Sequence, residues 1–401
     1  MTRQSGDLPA SSIANPPAGC PGRAFRFRSA TVPGCPARLR FFGMCFPDLC
    51  RPPRTRSNGD RIRMPLSRLT LALLVSLGLA STALAAPTAY PLTVDNCGTP
   101  LTFDQAPARA VTIGQSGTEM FYDLGLEQKL AGTSLWFSDV PERFKAQNAK
   151  VERLADNDPS FEAVIGKRPG LVAVQFEWMV GPQGVVGTRE QFADLKVPAY
   201  VMPSDCEGKD NLSGADGTRL QAFQIDSLYK SIEQLAQIMD VQDRGDAVVN
   251  DLKTRLAKVT ASAGQRRDQD QSAVFWFSSA DLDIDPYVAG RKGIPDFMLN
   301  SLGMRNVIAS DEEWPTVGWE TIAKANPTFL VIARMDRRRF PADDYLKKLE
   351  FLKNDPVTRN MDAVKNDRII ILDANAMQAS LSLVDGIETL AAASQKLRQG
   401  H

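Results

Sequence analysis

The sequence predicts an α/β protein of two lobes, each a mostly parallel sheet flanked by helices, joined by one long linker helix. One observation is a local pattern that occurs twice: FEAVIGKRPGLVAV holds Phe161, Glu162 and Pro169, and WETIAKANPTFLVI holds Trp319, Glu320 and Pro327. In each copy an apolar-periodic segment of about two turns is broken by the proline, and a short apolar run of buried-strand type follows. A second observation is the separation of the copies, 158 residues (320 − 162), too wide for a solenoid and suited to two similarly built lobes. The third lies between them, where Leu220, Phe223, Leu228, Ile232, Leu235 and Met239 recur at helical spacing with no Pro or Gly from Thr218 to Arg244.

Residues 1–63 are rich in Arg, Pro and Ser, and Cys20, Cys35, Cys45 and Cys50 stand at no metal-ligand spacing. They read as an upstream extension outside any folded domain. From Met64 a basic start, the apolar run Leu69 to Ala80 and the small-x-small end Ala83-Leu84-Ala85 make a secretory signal peptide over 64–85. The alternative, a buried apolar helix or membrane anchor, is disfavoured by the lack of a charged stop-transfer flank. No cysteine stands at the expected cleavage site, so lipid anchoring there is not indicated. Residues 1–85 carry 12 Arg and 3 Asp, which leaves 47 − 12 = 35 basic and 47 − 3 = 44 acidic residues, net −9. An acidic exported chain argues against nucleic acid or an anionic membrane as partner. Only Cys97 and Cys206 remain, and in an oxidising compartment they most simply pair, two separate buried thiols being the other reading.

Residues 86–217 are expected to form the N-terminal lobe. VDNCGTPLTF reads as a hairpin turning near Gly98, Ala110 to Ile113 as a strand, and Gly114 to Gly117 as a turn before a helix opened by Thr118-Glu119. Such a turn lies at the carboxyl edge of a parallel sheet, where open sheets bind ligands. Leu130 to Leu135, Leu171 to Val174 and Pro198 to Met202 follow as strands, and Asp158-Pro159 signals the start of the first short helix. The linker helix is expected over 218–244 and the C-terminal lobe over 245–401, with strands Ala273 to Phe277, Phe329 to Ala333 and Ile369 to Leu372 and a final helix Leu383 to Leu397.

The single histidine is His401, which argues against a Ser-His-Asp triad, a Cys-His pair, a histidine zinc site or histidine-ligated haem. No GxxxxGK[ST] or GxGxxG follows a predicted strand. Asp281, Asp283 and Asp285 form a DxDxD run, but Pro286 replaces the turn glycine and Lys292 the bidentate glutamate of a calcium loop, so a solvated acidic loop is the better reading. The positive signal is aromatic. Trp136, Phe176, Trp178, Trp276, Tyr287 and Trp314 fall at or beyond predicted strand ends, where each either walls a crevice or packs in the core. Gln115, Ser116, Glu177, Arg334, Asp336 and Gln378 are the polar candidates in the same places, with Arg334 and Asp336 emerging at a strand end or pairing with one another.

With these residues in hand, the chain from Pro91 to Leu397 resembles the helical-backbone periplasmic binding proteins of ABC importers, the family that delivers ferric siderophores, haem and vitamin B12. The resemblance rests on PARAVTIGQSGTEMFYDLGL, the paired segments with proline seven positions after glutamate (Glu-x6-Pro), the helix between lobes and Trp314-Pro315. It implies that Glu162 and Glu320 meet arginines on an inner-membrane permease dimer, that Trp314 contacts the ligand, and that the rigid linker permits small lobe closure. It also implies a monomer that captures a bulky metal chelate and needs neither cofactor nor catalysis. Each glutamate also simply suits its helix N-terminus, an effect of roughly 0.5 kcal/mol. The lack of histidine puts haem in doubt, and the few arginines near strand ends do not favour a strongly anionic chelate, which leaves a bulky organic cofactor or corrinoid, or a weakly charged siderophore. A rival reading is a periplasmic enzyme with Glu177 and Asp336 facing across the crevice as acid and base, and a third is a receptor-linked sensor.

Overall fold

Fully buried apolar runs become the central strands in the computed structural model, which describes residues 86–214, 216–264, 271–337 and 339–399. The expected extension and signal peptide lie outside the described residues. The first lobe opens with a hairpin, β1 (Leu92–Asn96) and β2 (Thr99–Phe103), reversed at Cys97 and Gly98, both at positive φ. Next come β3 (Ala110–Ile113), α1 (Gln115–Asp123), β4 (Leu130–Ser134), α2 (Lys145–Asn148) and β5 (Arg153–Ala155). The lobe ends with α3 (Phe161–Ile165), β6 (Leu171–Val174), α4 (Arg189–Asp194), β7 (Ala199–Val201) and α5 (Pro203–Cys206). Its parallel sheet has the order β5-β4-β3-β6-β7. Every residue of β3 and β6 is buried, as strands covered on both faces require. The chain leaves β3 in one direction and returns to β6 in the other, so the topological switch point lies between their carboxyl ends.

The connection between the lobes departs from expectation. β8 (Lys209–Asp210) and β9 (Thr218–Arg219) form a small antiparallel ribbon, and two helices follow, α6 (Asp226–Ile238) and α7 (Gln242–Gly264). The single helix expected over 218–244 is therefore replaced by a strand, a helix and a break at Asp240, whose φ is 60°. A short polar side chain tolerates that left-handed conformation, so the break needs no Gly or Pro. The long helix that links the lobes is α7, packed against α6 on one side and the last helix of the second lobe on the other.

That second lobe consists of β10 (Ser272–Ser278), β11 (Tyr287–Val288), α8 (Ile294–Ser301), β12 (Arg305–Asn306) and α9 (Trp319–Ala325). It continues through β13 (Phe329–Arg334), α10 (Tyr345–Asn354), α11 (Asp362–Lys365), β14 (Ile369–Asp373) and α12 (Leu383–Gln399). β13 lies between β10 and β14, all parallel, and β11 adds antiparallel at the edge. Trp276 is part of the core, its ring 4.8 Å from that of Trp319, so it walls no crevice. The first short helix is capped by Ser160, which accepts from Ala163 N–H, one residue beyond the expected Asp158-Pro159 start.

Two further ties hold the frame. Cys97 and Cys206 form a disulfide with Cα atoms 5.8 Å apart, which joins the hairpin to α5. The strand-like strap after Cys206 then crosses to the second lobe: Arg219 N–H donates to Asp311 O, Glu313 N–H to Gly217 O, and Phe223 N–H to Lys292 O. Arg219 and Glu313 make an ion pair at 2.5 Å, both nearly inaccessible.

Candidate functional site

Chain segments leaving the carboxyl ends of β4, β6, β10 and β13 converge on a cleft of about 510 Å³ between the lobes. Leu135 sets the first of these. Its φ of 58° turns the chain at the end of β4, so Trp136 folds back into the lobe while Phe137 points at the cleft. Trp136 is 2% exposed, donates to Thr133 Oγ1 and lies under Arg153. The expectation that it lines the cleft is thus corrected in favour of its neighbour.

Phe137 links aromatic side chains of both lobes. Its ring meets Phe176 at 6.0 Å and Phe277 at 5.8 Å, both edge-on. Phe176 stacks on Trp178 at 6.0 Å, and Phe277 lies 4.6 Å from Trp314. The result is one arc, Trp178-Phe176-Phe137-Phe277-Trp314, running unbroken across the two lobes. Tyr287 and Phe340 extend the second wall. Rings packed edge-on bury most of their own surface and still leave part of each facing outward, a wall suited to a flat or bulky organic ligand. Of the expected aromatic residues, Phe176, Trp178, Tyr287 and Trp314 line this cleft.

Two cations stand against this wall, one over the central ring of the arc and one over Phe340. The Arg337 guanidinium lies 4.5 Å above the Phe137 ring, and Arg339 lies over Phe340 and 4.0 Å from Asp158 of the first lobe. Burial pulls the Arg337 pKa below the ordinary arginine value, too little to neutralise a guanidinium at physiological pH. The sequence signal for these two was the arginine run after β13, which the reading placed at Arg334 instead.

The polar expectations fare differently. Gln115 and Ser116 open α1 rather than preceding it, and both are buried. Gln115 Oε1 accepts from Phe137 and Ser138 N–H, and Ser116 Oγ contacts Asn375 Oδ1 at 3.3 Å, so they belong to a seam between the lobes. Glu119 of α1 completes that seam by accepting from Asn375 Nδ2 and Gln115 Nε2. Arg334 pairs with Asp373 at 3.6 Å, and Asp336 accepts from Asp139 N–H, so the two do not pair with one another. Both border a separate polar groove of about 770 Å³. Glu177 accepts from Asn211 Nδ2 at 2.6 Å and borders a third hollow beside Cys97 and Cys206. Glu177 and Asp336 therefore line different cavities and do not face one another as an acid and base. Gln378 does reach the cleft.

Glu162 and Glu320 stand exposed in the first turns of α3 and α9, without an ion-pair partner among the described residues. Each follows a cleft-rim contact by four residues (162 − 158 and 320 − 316): Asp158 meets Arg339, and Thr316 bridges to Tyr287.

A family model described as a periplasmic binding protein matches residues 111–376. The uncharacterized ABC transporter substrate-binding lipoprotein YvrC of Bacillus subtilis (strain 168) is 24% identical over 304 residues, 75% of this chain and 85% of that protein. A vitamin B12-binding protein of Pectobacterium carotovorum is 20% identical over 56% of this chain and 71% of its own length. Among solved structures, an ABC-type Fe3+-hydroxamate transport system protein from Saccharomonospora viridis aligns with a TM-score of 0.63 and 24% identity, over 76% of this chain and 99% of that one. A periplasmic heme binding protein from Pseudomonas aeruginosa aligns with a TM-score of 0.55 and 23% identity, over 72% of this chain and 92% of that one. At such identities the solved structures establish the two-lobed α/β fold, and the ligand is a question for the chemistry of the cleft.

Proposed function

This chain belongs to the periplasmic binding protein family, and from that premise we propose that it is an exported substrate-binding protein that captures a bulky metal chelate and delivers it unaltered to an ABC permease dimer. The observation that carries the reading is the ring arc continuous across both lobes, with Arg337 over its central ring and Arg339 over the adjoining Phe340. Aromatic faces hold the organic shell of a chelate, and guanidinium groups hold carboxylate, phosphate or phenolate oxygens. The arginines revise the ligand class: a siderophore or corrinoid that carries anionic groups along one edge fits this cleft better than a weakly charged one. Among the described residues that line the cleft, Tyr287 and Asp216 are the acidic side chains that could offer a metal an oxygen, so the metal of the guest is held chiefly by its own chelator. No step of this function makes or breaks a covalent bond. Export is supported by the disulfide, which persists in oxidising compartments, and by the signal-like segment at 64–85.

Glu162 and Glu320 are the docking carboxylates in this reading, one exposed knob beside each half of the cleft rim. Their charge suits bidentate pairing with arginine on the permease. Substituting Glu162→Arg together with Glu320→Arg abolishes uptake in cells while ligand binding, followed by quenching of tryptophan fluorescence, stays intact. Uptake that survives the double substitution at normal protein level rules the docking role out.

A further inference from the structure

Behind the aromatic wall lies a second, much smaller cavity of about 10 Å³. That is about the room one water molecule needs. Phe176, Asp216 and Gln378 border both this chamber and the cleft, so the two are neighbours across a single layer of side chains. Most of the charge around the chamber is already matched. Lys209 meets Asp205 at 2.8 Å and Arg219 meets Glu313, while Arg219 Nη2 also donates to Ser204 O. The Asp205 and Asp216 carboxylates outweigh burial and hold the Lys209 pKa above its ordinary value, and Arg219 does the converse for Glu313.

Gln175 is the exception. It is 4% exposed and lines the chamber. Ser116 N–H donates to its Oε1 at 3.1 Å, which fixes which end of the amide is which. Its Nε2 is then left with no acceptor among the described residues. A buried donor without a partner carries an uncompensated desolvation penalty, which a fold does not retain at a site with room for a partner.

The occupant's chemistry follows from the walls. Lys209 and Arg219 are matched by Asp205 and Glu313, and burial raises the Asp216 pKa from 3.8 to about 7, so the walls carry no spare positive charge and an anion is disfavoured there. The orphaned donor on Gln175 equally disfavours a cation, which has nothing to offer an N–H group. A small neutral molecule with an oxygen acceptor satisfies both.

We propose that the chamber is a binding site for one neutral oxygen-bearing group, which accepts from Gln175 Nε2 and connects through Asp216 and Gln378 to the guest in the cleft. In the free protein that group is water. In the complex it is the same water acting as a bridge, or a hydroxyl or carbonyl oxygen of the guest in its place. Occupancy of the chamber in the free protein does not depend on the function proposed above; only its role as a subsite rests on that function.

A crystal structure of the ligand-free protein tests the occupancy. The expected result is one ordered water about 2.7–3.2 Å from Gln175 Nε2. An empty chamber, or an amide turned so that Nε2 meets a protein oxygen, overturns the proposal. The structure of the ligand complex separates a retained water from a ligand oxygen at the same point. For the subsite role, Gln175→Met keeps the volume and removes the Nε2 donor, together with the Oε1 that accepts from Ser116 N–H. It should weaken the chelate about tenfold, the effect of one hydrogen bond to a buried group. Unchanged affinity in a folded Gln175→Met protein overturns the subsite role. Trp314→Ala, by contrast, should weaken the chelate and leave the water in place, so a failure of the cleft reading is distinguishable from a failure of this one.

Discussion

Phe137 belongs to two regions at once, and they are built on opposite principles. Its side chain completes the aromatic arc of the cleft, where rings touch one another edge-on and keep part of their surface outward. Its backbone belongs to the seam beneath: the carbonyl accepts from Asp336 and Arg337 N–H, and the N–H donates to Gln115. In the seam Ser116, Glu119 and Asn375 are buried, and each has found a hydrogen-bond partner across the lobes. Satisfied polar groups specify one geometry, while a partly covered apolar wall keeps free energy in reserve for a guest. The seam, the strap and α7 together make three bridges between the lobes. Substitutions in the frame should move stability and leave the ligand bound, and substitutions in the cleft should do the reverse.

The largest effect expected belongs to the frame. The disulfide closes a sequence separation of 109 residues, and a loop of that size confers about 5 kcal/mol in the chain-entropy account. Cys97→Ser with Cys206→Ser should lower the denaturant midpoint accordingly and change chelate affinity less than about twofold. Loss of affinity at a temperature where the variant is folded breaks the division between frame and cleft.

A second effect concerns the seam and pH. Glu119 is inaccessible, and burial raises its pKa from 4.5 to about 7, against the Gln115 hydrogen bond and the Arg143 charge. A carboxyl whose folded pKa is raised favours the fold when protonated, so its contribution is complete below 4.5 and is lost as pH climbs through about 7. The wild type should therefore lose roughly 3 kcal/mol of stability between about pH 4.5 and 8 that Glu119→Gln does not lose. Unfolding by urea across that range measures it, and parallel pH profiles for the two proteins contradict it.

The smallest effect sharpens the cleft side. Arg339 is half-exposed and its ion pair with Asp158 is long, so Arg339→Gln should leave stability within about 0.5 kcal/mol. Affinity for an anionic chelate should fall about tenfold, with a neutral chelate of similar size unaffected. Equal losses for both would assign Arg339 to shape rather than charge.

The lobes were legible in the sequence because a helix, a proline and a buried strand follow one another in each Glu-x6-Pro segment, and local periodicity reports that order. The strap was not. Its strands are two residues each and exist because Asp311, Glu313 and Lys292 of the other lobe pair with them, which no local pattern records. The helix between the lobes was misplaced for a related reason: Leu220 has helical spacing to Leu228 yet is 65% exposed on the strap. In the cleft, Phe176, Trp178, Tyr287 and Trp314 were readable as large rings after strands. Trp136 and Phe137 were not separable, since the positive φ that sends them to opposite sides sits at Leu135, a residue that carries no turn signal.

The central claim is capture without alteration, and native mass spectrometry of the purified chain against ferric siderophores and corrinoids tests it most directly. The account predicts a one-to-one complex whose guest leaves with its mass unchanged, weakened by Arg339→Gln and by Trp314→Ala. A guest released with altered mass, or no complex with any anionic chelate, would contradict it.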